Sequence, residues 1–238
     1  MDVIPVIDVA QGRVVRAARG DRANYKPIET RLAAGSDPAS IARGYKSLFP
    51  FRRIYVADLD GIEGRGRNVH LVPAISSVFS GAEIWIDAGT ASRGAARPVL
   101  AAPVTTLVIG SETLERAADF KDIVAEAPGR VVLSLDFRGE EFMGPPALLS
   151  DASLWPSRLI VMTLARVGSG QGPDLGRIAE IAARGGPGRK IYAAGGIRDC
   201  ADLEAARKAG AFGALTASAL HDGKISARDL KEIAGRKA

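Results

Sequence analysis

Val3-Ile4-Pro5-Val6-Ile7-Asp8-Val9 and, much later, Val131-Val132-Leu133-Ser134-Leu135-Asp136 decide how this chain reads. Each is an apolar run of strand length, rich in Val, Ile and Leu, interrupted mainly by a carboxylate near its carboxyl end. Such a run does not alternate with polar residues, which is the pattern of a strand buried on both faces. Runs of the same kind recur at 53–57, 83–86, 105–109, 158–162, 190–193 and 212–216. Between most of them the periodicity turns helical. Residues 38–45 follow a Ser36-Asp37 cap signal, and 202–209 carry leucine and alanines on one face before Gly210. Eight β-then-α units predict an α/β protein: one (β/α)8 TIM barrel over residues 1–238, with an open doubly wound sheet as the alternative.

The chain also echoes itself. Residues 107–114 (Leu-Val-Ile-Gly-Ser-Glu-Thr-Leu) resemble 214–220 (Ala-Leu-Thr-Ala-Ser-Ala-Leu), and the two opening runs match each other up to Asp8 and Asp136. A duplicated four-strand unit predicts half-barrels of roughly 1–122 and 123–238.

Composition narrows the class. Hydrophobic residues make up 47% and charged residues 25%, while aromatics reach only 5%, as small-residue parallel strands under covering helices require. No apolar run approaches the roughly 20 residues of a membrane span, and the start lacks the basic flank of a signal peptide. The single cysteine, Cys200, has no internal partner, so a cytoplasmic protein is expected. No histidine accompanies it, which argues against a nucleophile. A net charge of +5 is spread along the chain without a nucleic-acid motif, so the expected partner is a small phosphorylated metabolite and neither nucleic acid nor membrane. No cofactor motif or metal-ligand spacing is read. His70 and His221 are isolated and are expected at the surface.

Barrel chemistry collects at the carboxyl ends of strands. Asp8, Asp58 with Asp60, Asp87 and Asp136 stand there, and buried carboxylates need a polar task because unpaired charges are costly. Asp8, Asp136, Asp87 and Asp58 are therefore the catalytic candidates, while Asp60 before Gly61 reads equally well as a turn acceptor. Glycine-rich turns form a second set. Gly168-Ser169 follows the sixth run, Gly195-Gly196 the seventh and Ala217-Ser218 the eighth, where barrels habitually hold phosphate on backbone N–H groups. A mirror set, Gly89-Thr90 and Gly110-Ser111, follows the third and fourth runs, so two cradles across one mouth would suit a bisphosphate. The first loop, 11–30, is long enough for a lid and basic at Arg13, Arg16, Arg19, Arg22 and Lys26; Arg16, Arg19 and Lys26 are the substrate candidates.

These residues resemble a known family. Ile4-Pro5-Val6-Ile7-Asp8, Gly12-Arg13-Val14-Val15-Arg16, Ala57-Asp58-Leu59-Asp60-Gly61, Leu133-Ser134-Leu135-Asp136, Gly195-Gly196-Ile197 and Ala219-Leu220-His221-Asp222-Gly223 are similar to the HisA/HisF-like barrels of histidine biosynthesis. Those are the phosphoribosylformimino-aminoimidazole-carboxamide ribotide isomerase and the imidazole-glycerol-phosphate synthase cyclase. The resemblance covers nearly the whole chain and implies a duplicated half-barrel with a phosphate site in each half. It implies Asp8 as the general base of an Amadori rearrangement and Asp136 as its assistant. Where the family has Asp-Gly-Thr after strand six, with the Asp as acid, this chain has Val167-Gly168-Ser169. The third run also ends differently, with Asp87-Ala88-Gly89 in place of a glycine run. The stretches 20–27 and 166–172 look like a divergent branch associated with tetrahydromethanopterin and one-carbon metabolism.

The leading expectation is an enzyme on a phosphorylated sugar or sugar-amine, isomerase-like (a lyase being the variant), in which Asp87 or Asp58 replaces the lost acid. It is not expected to perform the histidine-pathway isomerisation. The alternatives are metal-assisted chemistry on the clustered carboxylates and a non-catalytic subunit that binds a phosphate ligand.

Overall fold

A computed structural model describes residues 1–102 and 105–235. All eight expected runs form strands: β1 (Asp2–Ala10), β2 (Arg53–Asp58), β3 (Glu83–Asp87), β4 (Thr105–Gly110), β5 (Val131–Arg138), β6 (Arg158–Thr163), β7 (Lys190–Ala194) and β8 (Gly213–Thr216). Each is hydrogen-bonded in parallel to the next, and β8 closes on β1, with Ile4 opposite Leu215. The closed ring rules out the open sheet. Helices α1 (Pro38–Leu48), α2 (Val72–Val78), α3 (Arg93–Leu100), α4 (Ala117–Glu126), α5 (Pro146–Ser150), α6 (Leu175–Gly185), α7 (Cys200–Lys208) and α8 (Ala227–Gly235) follow the strands in order. Asp37 caps α1 by accepting from Ser40 N at 2.8 Å, as the Ser36-Asp37 signal implies.

Successive side chains on a strand point to opposite faces. Outward residues such as Ile7, Ile54, Ile84 and Leu133 join the helices in the main core. Inward residues build a second core inside the ring, where Ile4, Tyr55, Trp85, Val108, Val132, Ile160, Tyr192 and Leu215 fill the middle layer. Below them, at the amino ends of the strands, Arg53 joins Asp2 (2.7 Å) and Glu83 (2.9 Å), and Arg158 reaches Glu83 at 2.5 Å. That lower end is plugged by ion pairs; the upper end is left to the carboxylates.

The first loop is partly ordered into strand. Residues Arg13–Arg16 turn back on β1, and Lys26–Pro27 pair with them in turn. The loop then leans over the mouth, where Arg19 N–H donates to Val167 O at 2.7 Å. Another short strand, Glu141–Met143, folds back on β5. No helix is long and apolar enough to cross a membrane among the described residues.

Candidate functional site

At the carboxyl ends of the strands lies an open cavity of about 280 Å³, reached by Asp8, Asp87 and Asp136 together. Strand parity puts them there: Asp8 follows inward Ile4 and Val6, Asp87 follows Trp85, and Asp136 follows Val132 and Ser134. Ala57 stands between Asp8 and Asp87 in the strand register, and its small side chain leaves the space between the two carboxyls open. Gly110, without a side chain, leaves the space between Asp87 and Asp136 open. A Cβ there would sit 3.0 Å from Asp136 Oδ2 and 3.5 Å from Asp87 Oδ2, so both carboxyls converge over the bare backbone.

The three carboxyls share an apolar, water-poor setting that disfavours their charge. Burial raises Asp8 to about 7, against the pull of the Arg22 guanidinium. Burial raises Asp87 to about 6, opposed by the Gly89 N–H and Arg22 and reinforced by the negative charge of Glu112. Asp136 rises furthest, to about 8, through burial and then the charges of Glu112 and Asp87; the Ser134 hydroxyl and Glu112 N–H oppose this. Their tethering differs as well. Asp136 accepts from Ser134 Oγ (2.6 Å) and Glu112 N (3.2 Å), and the Ser111 hydroxyl lies 3.4 Å from it. Among the described residues, no hydrogen bond is made to the Asp8 carboxyl.

Asp58 is a correction. On β2 the inward residues are Tyr55 and Ala57, so Asp58 points the other way. It accepts from Gly61 N (3.1 Å), Asn68 N (2.5 Å) and Asn68 Nδ2 (2.8 Å), outside the cavity lining. Asp60 sits beside it, taking Gln11 N at 2.6 Å and Asn68 Nδ2 at 2.8 Å. Together with Asn68, which also accepts from Gly12 N at 3.1 Å, these aspartates pin the root of the first loop. Asp58 has an anchoring task.

The two glycine–serine sets part company. Gly168, Gly195, Gly196, Ala217 and Ser218 line the cavity, while the Ser169 hydroxyl turns back to Arg166 O at 2.9 Å. Arg198 and Lys224 stand near this end. Gly89, Thr90, Gly110 and Ser111 are not in the lining, and the contacts of Gly89 and Ser111 are not those of the phosphate role expected of the set. Gly89 is pressed against the backbone of Gly61 and Ile62. Ser111 Oγ accepts from Asp136 N (2.9 Å) and donates to Met143 O (2.6 Å), so it serves the hairpin on β5. Gly144, at φ +140°, packs on the Ser111 carbonyl so closely that a Cβ would overlap it.

In the first loop, Arg16 lines the cavity and pairs with Asp222 at 2.9 Å. Arg19 and Lys26 do not line it; Lys26 lies in the outward strand pair, and Arg19 uses its backbone at φ +53° to touch the sixth loop. The loop's contribution to the carboxylates is Arg22, paired with Glu112 on the far side of the mouth. Tyr25, Tyr55, Glu112, Arg198 and Lys224 all line the site without having been singled out from the sequence, and Arg22, named there only among the basic residues of the loop, joins them. Val167 lines it too, its side chain against Gly195. His221, expected at the surface, is 2% exposed and bonded to Tyr45 Oη (2.7 Å) and Thr30 Oγ1 (3.0 Å); burial lowers it to about 4. Among the described residues, no three His, Cys, Asp or Glu side chains are grouped to hold a metal ion.

Comparison with known proteins bears on what this mouth does. A family model described as "Histidine biosynthesis protein" matches residues 2–226. The 1-(5-phosphoribosyl)-5-((5-phosphoribosylamino)methylideneamino) imidazole-4-carboxamide isomerase of Myxococcus xanthus is 27% identical over 99% of this chain and 100% of its own length. The isomerase of the same name from Anaeromyxobacter dehalogenans is 31% identical over 96% of this chain and 97% of its own length. An uncharacterized protein of Methanocaldococcus jannaschii is 29% identical over 98% of this chain and 97% of its own length.

Proposed function

The chain belongs to the histidine biosynthesis protein family, and from that premise we propose that it is an isomerase-type enzyme acting on a phosphorylated sugar or sugar-amine by carboxylate acid–base chemistry. One observation carries this reading: three carboxyls with displaced affinities for protons, at about 7, 6 and 8, face one cavity whose other end is a glycine cradle. Displaced pairs of this kind assign acid and base roles.

A sugar rearrangement of the aldose–ketose type needs one group to protonate the ring or carbonyl oxygen and another to take the proton from the adjacent carbon. Near pH 7, Asp136 keeps its proton and is the donor. Asp8, half ionised and untethered, is the base. Asp87 stays largely ionised, and its charge helps hold the proton on Asp136. The phosphate rests on Gly168, Gly195, Gly196 and Ser218, near Arg198. Asp136 thus does the work for which the resembling family uses an acid after strand six, where this chain has Val167. We accordingly propose a substrate other than the histidine-pathway ribotide. The link to tetrahydromethanopterin and one-carbon metabolism remains part of this reading on the likeness of residues 20–27 and 166–172.

The test is exchange in D2O. Incubated with a panel of aldose, ketose and amino-sugar phosphates, the protein is expected to wash deuterium into the carbon beside the carbonyl of at least one of them, and Asp8→Asn is expected not to. Binding without exchange across the panel would favour the non-catalytic reading. Separately, rescue of an isomerase-deficient histidine auxotroph at normal expression would show that the ribotide is the substrate after all.

A further inference from the structure

The two ends of the mouth have different things left to offer a ligand. Toward β6–β8, Gly168, Gly195, Gly196 and Ser218 line the open cavity, with the cations Arg198 and Lys224 beside them in the lining. Toward β3–β5, the equivalent glycine–serine pair is built over. Its hydroxyl is spent between Asp136 N and Met143 O, the Glu112 N–H is given to Asp136 Oδ2, and the Gly144 backbone lies on the Ser111 carbonyl. What this end turns to the cavity is Asp87, Glu112 and Asp136. Arg22 descends from the first loop to meet Glu112, a cation brought by the protein itself to the acidic end.

We infer that the substrate is a phosphomonoester bearing an amine: its one phosphate lies at the β6–β8 end, and its protonated amine, in place of a second phosphate, faces Asp87, Glu112 and Asp136. This rests on the phosphate reading above and narrows it. A second phosphate at the far end would meet Asp87, Glu112 and Asp136, while the Gly89 and Glu112 N–H groups are already given to Asp87 and Asp136, and like charges brought together in a cavity oppose binding. An ammonium group reverses both objections, since it brings donors and positive charge to acceptors that share a single arginine. Tyr55, whose hydroxyl donates to Asp87 Oδ2 at 3.3 Å, flanks the same spot and leaves the other Asp87 oxygen for the ligand and the Gly89 N–H.

The experiment is calorimetric titration of the full chain at pH 8 with four probes: glucose 6-phosphate, glucosamine 6-phosphate, fructose 6-phosphate and fructose 1,6-bisphosphate. Glucosamine 6-phosphate is expected to bind at least tenfold more tightly than glucose 6-phosphate. The bisphosphate is expected to bind no more tightly than fructose 6-phosphate. In Asp87→Asn, and in Glu112→Gln should the first variant fail to fold, the advantage of the amine is expected to fall below threefold while glucose 6-phosphate binding does not weaken. A bisphosphate favoured tenfold, or an amine without advantage, overturns this inference and leaves the phosphate reading standing. If neither these four probes nor inorganic phosphate binds, the phosphate reading falls and takes this inference with it.

Discussion

Two turns of nearly the same sequence, Gly110-Ser111 after β4 and Ala217-Ser218 after β8, end at corresponding places on one ring and serve opposite ends. Ser218 lines the cavity. Ser111 is buried, and its hydroxyl ties Asp136 to the hairpin after β5. The aspartates show the same division: Asp8 faces the cavity without a hydrogen-bonding partner among the described residues, whereas the Asp136 carboxyl accepts from Ser134 Oγ and Glu112 N. A glycine–serine turn is therefore a supply of donors whose destination is set by what packs on it. On one side the donors are left for a ligand; on the other the protein has consumed them.

The largest effect that separates the two sides is expected at the aspartates. Asp8→Asn should lower the rate of deuterium exchange by about 10²–10⁴-fold, the usual worth of a positioned base, with thermal stability not lowered. Asp136→Asn should lose rate and stability together, because an amide keeps one acceptor oxygen and its NH2 would face either the Glu112 N–H or the Ser134 hydroxyl. Equal losses of melting temperature in the two variants would erase the distinction between a free and a held carboxyl.

Next comes the cradle itself. Ser218→Asp places a carboxylate in the first turn of Ser218–His221, a position that tolerates one structurally. It is expected to weaken binding of a phosphorylated ligand by about 100-fold, or some 2.7 kcal/mol. Titration of the variant with the tightest-binding phosphate would settle it, and undiminished affinity would move the phosphate elsewhere.

A smaller effect, of another kind, is expected across the ring. Ser111→Ala removes a bond from Asp136 N–H and one to Met143 O, and buried groups left without partners cost about 1–3 kcal/mol. In a chain of this size each kcal/mol is worth roughly 2–4 °C. Thermal unfolding should show that fall while phosphate affinity is kept. Loss of affinity instead would mean that the β4 turn still serves a ligand.

These contrasts also mark what the sequence made legible. The eight strands announced themselves because burial on both faces leaves long apolar runs, and Asp8, Asp87 and Asp136 stood out as carboxylates at their ends. The same double burial hid Asp58. In a strand apolar on both faces, polarity does not show which residues point inward, so Asp58 looked like Asp87 although its parity sends it to Asn68. The closure of the β4 turn depends on Gly144, far along the chain, and the burial of His221 depends on Tyr45 and Thr30 at the other end of it. Neither has a local signature. Arg22 differs from Arg19 and Lys26 only in the course the loop takes, which its composition does not specify.

The last test is the dependence of stability on pH, where the held and the free carboxyls act together. Folded Asp87, Asp8 and Asp136 bind protons with affinities near pH 6, 7 and 8, whereas in the unfolded chain they return to the ordinary value of 3.8. Between about pH 4 and 8 the folded state thus holds more protons than the unfolded one, and stability must fall as pH rises through that range. His221 works against this at the lower end. It takes up a proton near pH 4 when folded and near 6.5 when unfolded, so its contribution to stability rises with pH between those values. Three carboxyls outweigh one histidine, so the fall should be steepest at about pH 5–6, where the folded state holds nearly two protons more than the unfolded one, and should ease to about half a proton by pH 8. Each net proton released on unfolding is worth about 1.4 kcal/mol per pH unit, a few degrees in the melting temperature. Asp136→Asn should flatten the upper part of that window, near pH 8, and Asp8→Asn the part around pH 7. Melting curves from pH 4 to 9 for the wild type and both variants decide the matter. A wild-type profile that rises or stays level from pH 6.5 to 8 would mean that the carboxyls are already ionised at neutral pH, and that Asp136 has no proton to give.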